Sequence, residues 1–279
     1  MTPIFNHTGS LGDIVYSLYF VRDLLEYLGE AKGDYHIQTG VRTGDDPSLH
    51  PNGVFGMTDA NAEFIRPLLE RIEFVREVSV SGEMPQNAVD IASFRKRPVN
   101  MYAGNIIDYQ YATPALPLKR EFWKPLLAVN DPDENVRGRI VVFYSKRYNN
   151  LNTDPGEVLN FLLERRMFRR EDFLFIGYEE ELRHIRADIP YRRPGSLYEV
   201  ARIIAGAKLC IGNQTGFFSV AEILKAPRIL ASAEFFRNPQ CGGNITHGPC
   251  NVIPQGGRCA IARTSQELLD LTVNFMKML

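Results

Sequence analysis

The sequence predicts an α/β protein of two lobes, each built on a parallel sheet with crossover helices, and three observations carry that prediction. Short β-prone runs alternate with helix-like stretches from one end of the chain to the other, the order that β-α-β units require. A polar, turn-rich stretch, Asn130–Asn135 (NDPDEN), interrupts this alternation near the middle and reads as a linker. The 279 residues, 44% of them hydrophobic, suffice for two ordinary α/β domains. The expected lobes are 1–130 and 136–279.

In chain order, Pro3–Asn6 is β-prone and runs into the small-residue turn Thr8–Gly12. From Ile14 to Leu28 the apolar residues Ile14, Leu18, Val21, Leu25 and Leu28 recur at helical spacing. Tyr35–Thr39 reads as a strand and Arg42–Gly53 as a polar loop. Asp59 is placed to cap a helix reaching about Ile72, and Val75–Val80 and Val89–Ser93 follow as strands. Pro98–Leu127, aromatic and interrupted by Pro114, Pro117 and Pro125, has no clean assignment. In the second half, Arg139–Tyr144 (RIVVFY) is a buried-type strand, and Asp154 caps a helix over Pro155–Glu164. Phe173–Ile176 (FLFI) is a strand ending at Gly177. Ser196 caps a helix to Ala205, with Glu199 completing a capping box. Lys208–Ile211, Thr215–Leu224, Arg228–Ala231 and Ser265–Met278 then read as strand, helix, strand and helix.

Composition removes several function classes. A net charge of −1 gives no bulk attraction to nucleic acid. Arg165, Arg166, Arg169 and Arg170 crowd one stretch, which reads as a solvated helix end. The start MTPIFNHTGSLGD lacks a basic, then apolar, secretory leader, and no apolar run approaches the ~18 residues that span a bilayer. A cytoplasmic location without a transmembrane segment is expected, with peripheral membrane contact left open. Four cysteines make no disulfide framework.

In open parallel sheets, ligands bind beyond the carboxyl ends of strands, where loops lead into helix N-termini. Two stretches have this layout. In Thr8-Gly9-Ser10-Leu11-Gly12-Asp13, two glycines allow close approach to the main chain, Gly12 among them, and Asp13 stands at a helix start. A carboxylate there can accept a proton from a substrate hydroxyl, although an aspartate at a helix N-terminus also serves as a cap. In Ile211-Gly212-Asn213-Gln214-Thr215-Gly216-Phe217-Phe218-Ser219, a strand opens into a helix whose first amides face the ligand side. Asn213, Gln214, Thr215 and Gly216 would let a diphosphate lie against those amides, with Glu222 reaching a ribose hydroxyl. An ordinary strand-to-helix turn has the same local features. Lys146 and Arg147 add two cations at this rim, and Gly177, with Glu179–Glu181 nearby, would leave room for a base or ribose. Neither the dinucleotide fingerprint G-x-G-x-x-G nor a P-loop occurs.

With those residues in view, the chain resembles the heptosyltransferase-type glycosyltransferases (glycosyltransferase family 9). Ser10-Leu11-Gly12-Asp13 with Leu18 resembles their S-x-G-D-x-x-x-x-L-P motif, and Ser196–Leu230 resembles the stretch leading into D-T-G-x-x-H-x-A and a later proline. Tyr19 stands at the motif proline, Gln214 at its aspartate and Ser219 at its histidine. The resemblance implies the GT-B fold: two Rossmann-like lobes with parallel sheets facing a cleft, acceptor lobe first and nucleotide-sugar donor lobe second. It implies an inverting, metal-independent transfer from a nucleotide-diphosphate sugar to a glycan or other hydroxyl acceptor, with Asp13 as base. The donor is a substrate and no separate cofactor is implied. The Gln214 and Ser219 departures motivate a non-catalytic sugar-nucleotide binding protein of the same fold as the alternative, and a sugar-nucleotide epimerase or hydrolase is a third reading. Acceptor specificity is expected in the Arg42–Gly53 loop and the Pro98–Leu127 segment. Cys241, His247, Cys250 and Cys259 are of types that suit zinc, but their spacing matches no standard zinc pattern, so a Gly-rich surface loop is expected and no metal.

Overall fold

The computed structural model describes residues 2–42, 56–96, 106–111, 116–145, 153–231, 236–237, 246–247 and 254–278. In the first half, β1 (Ile4–His7), α1 (Leu11–Leu28), β2 (Gly33–Gln38), α2 (Asp59–Leu69), β3 (Val75–Ser81), β4 (Val89–Asp90) and α3 (Ile106–Gln110) follow in order. The four strands make a parallel sheet ordered β3-β2-β1-β4. The second half contains β5 (Ile140–Phe143), α4 (Pro155–Glu164), β6 (Phe173–Ile176), α5 (Glu179–Ile185), β7 (Tyr191–Arg192), α6 (Leu197–Gly206), β8 (Leu209–Gly212), α7 (Gly216–Leu224) and β9 (Arg228–Ala231). It ends with β10 (Phe236–Arg237), β11 (Thr246–His247), β12 (Cys259–Ala262) and α8 (Ser265–Met278). Six of these strands form a second parallel sheet ordered β12-β9-β8-β5-β6-β7, and β10 and β11 pair antiparallel on their own.

Several expectations need adjusting at element ends. Thr58, not Asp59, caps α2, its hydroxyl accepting the Asn61 N–H at 3.3 Å. The strand expected over Val89–Ser93 stops at Asp90 and becomes a 3-10 turn over Ile91–Lys96. Ser196 caps α6, but Glu199 does not close the box onto the cap. It accepts instead from the Gly195 N–H at 2.7 Å and from Arg192 at 2.6 Å. Asn130–Asn135, the stretch expected as the linker, is bonded to β7 and α6. The Asp133 N–H donates to the Arg202 carbonyl at 3.0 Å, the Asp133 carboxylate pairs with Arg192, and Tyr198 donates to Asp131 at 2.6 Å.

The layers follow from which faces are apolar. α1 and α2 cover one face of the first sheet, α6 and α7 cover one face of the second, and these helices pack on each other, α1 on α7 and α2 on α6. Phe5, Tyr35, Ile14, Leu18, Ile65, Ile203, Phe218, Val141 and Leu230 therefore belong to one continuous buried core running through both halves. Phe64 of α2 stacks on Phe217 of α7 with ring centroids 6.3 Å apart, and Phe143 of β5 meets Phe217 edge-on at the same distance. A second core, with Val142, Phe173, Leu162 and Phe275, lies on the far face of the larger sheet under α4 and α8.

Candidate active site

α1 begins where β1 ends and α7 begins where β8 ends, so the contact between the starts of these two helices joins the carboxyl edges of the two sheets. A side-chain carbon placed on Gly12 would lie 3.7 Å from the Gly216 α-carbon, and one placed on Gly216 would run into the Leu11 side chain. Glycine at both positions is what permits this approach. The two glycine turns picked out from the sequence thus meet across the interlobe contact.

Asp13 is buried at this junction with 4% of its surface exposed. Its Oδ2 accepts the Ser10 N–H at 3.1 Å and the Ser10 hydroxyl at 2.9 Å. Its main-chain carbonyl receives the Gln110 side-chain amide of α3 at 3.1 Å. Sequence reasoning passed over His7, at the end of β1, which is fully buried beside this turn. The Gly9 N–H donates to His7 Nδ1 at 2.8 Å, so that ring nitrogen serves as an acceptor. The only signal in the sequence was a histidine one step from a strand end.

On the other side of the junction, Thr215 caps α7, its hydroxyl accepting the Phe218 N–H at 3.2 Å. Gln214, Thr215 and Gly216 are half-buried at the helix start. Ser219 is buried inside the first turn and donates to the Gly216 carbonyl at 2.5 Å. Asn213 directly follows β8. Its side chain accepts the Ser145 N–H at 2.9 Å and donates to the Ser145 carbonyl at 2.8 Å, tying the end of β5 to the end of β8. Lys146 and Arg147, the next residues, lie outside the described residues, as do Cys241 and Cys250. Among the described residues no cluster of metal-ligating side chains occurs.

Glu222 is turned into the interior, away from the ribose contact expected for it. It is fully buried, and its carboxylate is taken by Arg228 at 2.6 Å, Lys225 at 2.6 Å and the Gln255 N–H at 3.0 Å. Arg228 is itself fully buried and donates further to the carbonyls of Ala226, Gln255 and Gly256. This carboxylate is an internal anchor and does not reach out to a ribose. Another carboxylate lies beside Gly177. Gly177, at the end of β6, has φ +151°, a conformation that side chains other than glycine's rarely adopt. A side-chain carbon there would lie 2.9 Å from Glu181 Oε2. Glu181 accepts the Tyr178 N–H at 3.1 Å, and burial pushes its carboxyl up to about 7 against the pull of that bond.

In the first lobe a cavity of about 210 Å³ opens at the carboxyl end of β2, lined by Thr39, Gly40, Met57, Thr58 and Asp59. Most of the Arg42–Gly53 loop, and 97–105 and 112–115 of the Pro98–Leu127 segment, lie outside the described residues. Among the described residues no helix is long and apolar enough to cross a membrane.

No protein-family model and no curated protein sequence matches the chain. Solved structures do. An E. coli ADP-heptose LPS heptosyltransferase II superposes with TM-score 0.59 at 14% identity, over 100% of this chain and 99% of that one. A glycosyl transferase family 9 protein from Veillonella parvula gives 0.58 at 12% identity, over 99% and 89%. The iron-containing dodecameric glycosyltransferase TibC of enterotoxigenic E. coli gives 0.52 at 13% identity, over 85% and 61%. Two parallel sheets in sequence, joined carboxyl edge to carboxyl edge through α1 and α7, give this chain the two-lobed GT-B fold of those glycosyltransferases.

Proposed function

We propose that the protein is an inverting glycosyltransferase that moves a sugar from a nucleoside-diphosphate sugar to a hydroxyl of a glycan or other acceptor. One observation carries this reading: the start of α1, which bears the buried Asp13, and the capped N-terminus of α7, one from each lobe, meet at the Gly12–Gly216 contact. A base and an anion-binding helix end are the two things such a transfer asks for. Asp13 takes the proton from the acceptor hydroxyl. That oxygen forms its bond to the anomeric carbon from the face opposite the diphosphate, and the bond from that carbon to the leaving oxygen breaks with its electron pair. The charge released on the diphosphate falls on the first-turn amides and dipole of α7. The scheme calls for no metal. Gly177, after β6, and Glu181, in α5, are suited to the nucleoside, with Glu181 in the part that the sequence suggested for Glu222. The cavity at Thr39 and Asp59 belongs to the acceptor side. A cytoplasmic setting agrees with a nucleotide-sugar donor, and peripheral contact with a membrane is compatible with it.

Ser219 favours a second reading. Its hydroxyl is turned into the helix, onto the Gly216 carbonyl, at the position where the resembling family has histidine, which would suit a sugar-nucleotide binding protein without turnover. Two measurements separate the readings. Thermal shift against ADP, UDP, GDP, CMP and NAD tests the donor site, because a ligand at a hundred times its Kd stabilises by about 2.7 kcal/mol. Asp13→Asn is expected to keep the shift given by one nucleoside diphosphate and to lose turnover by about a hundredfold or more. Full turnover in that variant would remove Asp13 from the mechanism.

A further inference from the structure

Behind the proposed base stands a buried residue that the transfer scheme leaves unused. We infer that His7 is the positioning residue for Asp13, acting through the Gly9–Ser10 turn; this rests on the reading of Asp13 given above. The dependence runs along three consecutive links. His7 Nδ1 holds the Gly9 N–H at 2.8 Å in a buried setting. The next residue, Ser10, sends both its N–H and its hydroxyl to Asp13 Oδ2, at 3.1 and 2.9 Å. The imidazole and the carboxylate flank the same α-carbon: a side chain on Gly9 would meet His7 Cε1 at 2.5 Å and Asp13 Oδ2 at 2.9 Å. The ring nitrogen thus fixes the Gly9 amide, that amide orients Ser10, and Ser10 fixes the oxygen of the carboxylate. A fully buried strand end has no packing need for an imidazole, and Phe5 in the same strand shows what apolar filling looks like. His7 earns its place through the hydrogen bond.

The test uses the purified full chain, with UDP-glucose, GDP-mannose and ADP-glucose as donors and a mixture of mono- and disaccharides as acceptors, alongside the nucleotide thermal shift. His7→Phe keeps the bulk and removes the acceptor nitrogen, whereas His7→Asn offers an amide oxygen in the place of Nδ1. His7→Phe is expected to lower kcat about tenfold or more with the donor KM within about twofold, since small misplacements of reacting groups are costly. His7→Asn should recover most of that rate, and both should keep the nucleotide shift, because α7 belongs to the other lobe. Wild-type kcat in His7→Phe, or His7→Asn as impaired as His7→Phe, overturns the inference and leaves the Asp13 reading standing. Should His7→Phe fail to melt cooperatively, Gly9→Ala asks the same question by displacing ring and carboxylate, and an unchanged kcat there is equally fatal. A wild type that consumes none of the three donors sinks the transferase reading, and the role of His7 with it.

Discussion

At the scale of single residues, two glutamates of the second lobe show how surroundings divide chemically equal groups. Glu222 is held by Arg228 and Lys225 inside the protein, and removing either side of such a buried pair leaves a stranded charge. Among the described residues Glu181 has no cation partner, and burial pushes its carboxyl up to about 7. Its contribution to stability therefore has a definite sign. A carboxyl whose folded value lies above its unfolded one supports the fold fully below the ordinary carboxylate range, and that support is lost as the pH rises through about 7. Glu181→Gln is expected to remove this slope, leaving the variant more stable than wild type by about 1–3 kcal/mol near pH 8 and no more stable near pH 4. Urea unfolding at the two pH values measures it; parallel behaviour of the two proteins would show that the carboxyl carries no such load.

At the scale of elements, the start of α7 lies against the start of α1, with the Leu11 side chain filling the space that a side chain on Gly216 would need. Gly216→Ala is thus expected to prise the two helix ends apart, costing about 1–3 kcal/mol in denaturant unfolding and weakening the nucleotide shift. An alanine variant with wild-type stability would mean that Leu11 swings aside freely. Elements bounded by strong local signals were legible in the sequence. α4 has Asp154 and Pro155 at its start, β6 is a continuous apolar run, β9 is an apolar run behind Arg228, and α8 follows its periodicity, and all four fall where the residues predict. α5 was missed because EEELRHI is seven residues with no apolar repeat to reveal it. β12, the small-residue CAIA, was missed because only its place beside β9 makes it a strand. The site was legible where the backbone alone makes it, at the two glycine turns. It was not legible where partners are distant. The spacing of Glu222 gave the helix position but not Arg228 and Gln255 beneath it, and Asn213 gave no hint of Ser145, 68 residues away. His7 became visible only once Gly9 had folded back onto it.

At the scale of the whole molecule, the apolar side chains between the two sheets belong to one core, and Tyr19, Phe64 and Leu126 of the first part meet Glu222, Phe217 and Ile223 of the second. Unfolding is expected to be a single cooperative event, with the calorimetric and van't Hoff enthalpies equal in differential scanning calorimetry. Residues 1–130 expressed alone should lack a cooperative melt, because α1 and α2 would carry their apolar outer faces into water. Two resolved transitions, or a stable fragment, would show that the halves hold themselves up separately. The shared core also bears on how such a chain can diversify. In an architecture of separable modules, a new ligand could be acquired by grafting a foreign second half onto a resident first half. Here a graft would bring strangers to Leu11, Tyr19 and Phe64 at once, so a change of ligand is more readily reached by substitutions within the loops at the strand ends than by recombination between halves.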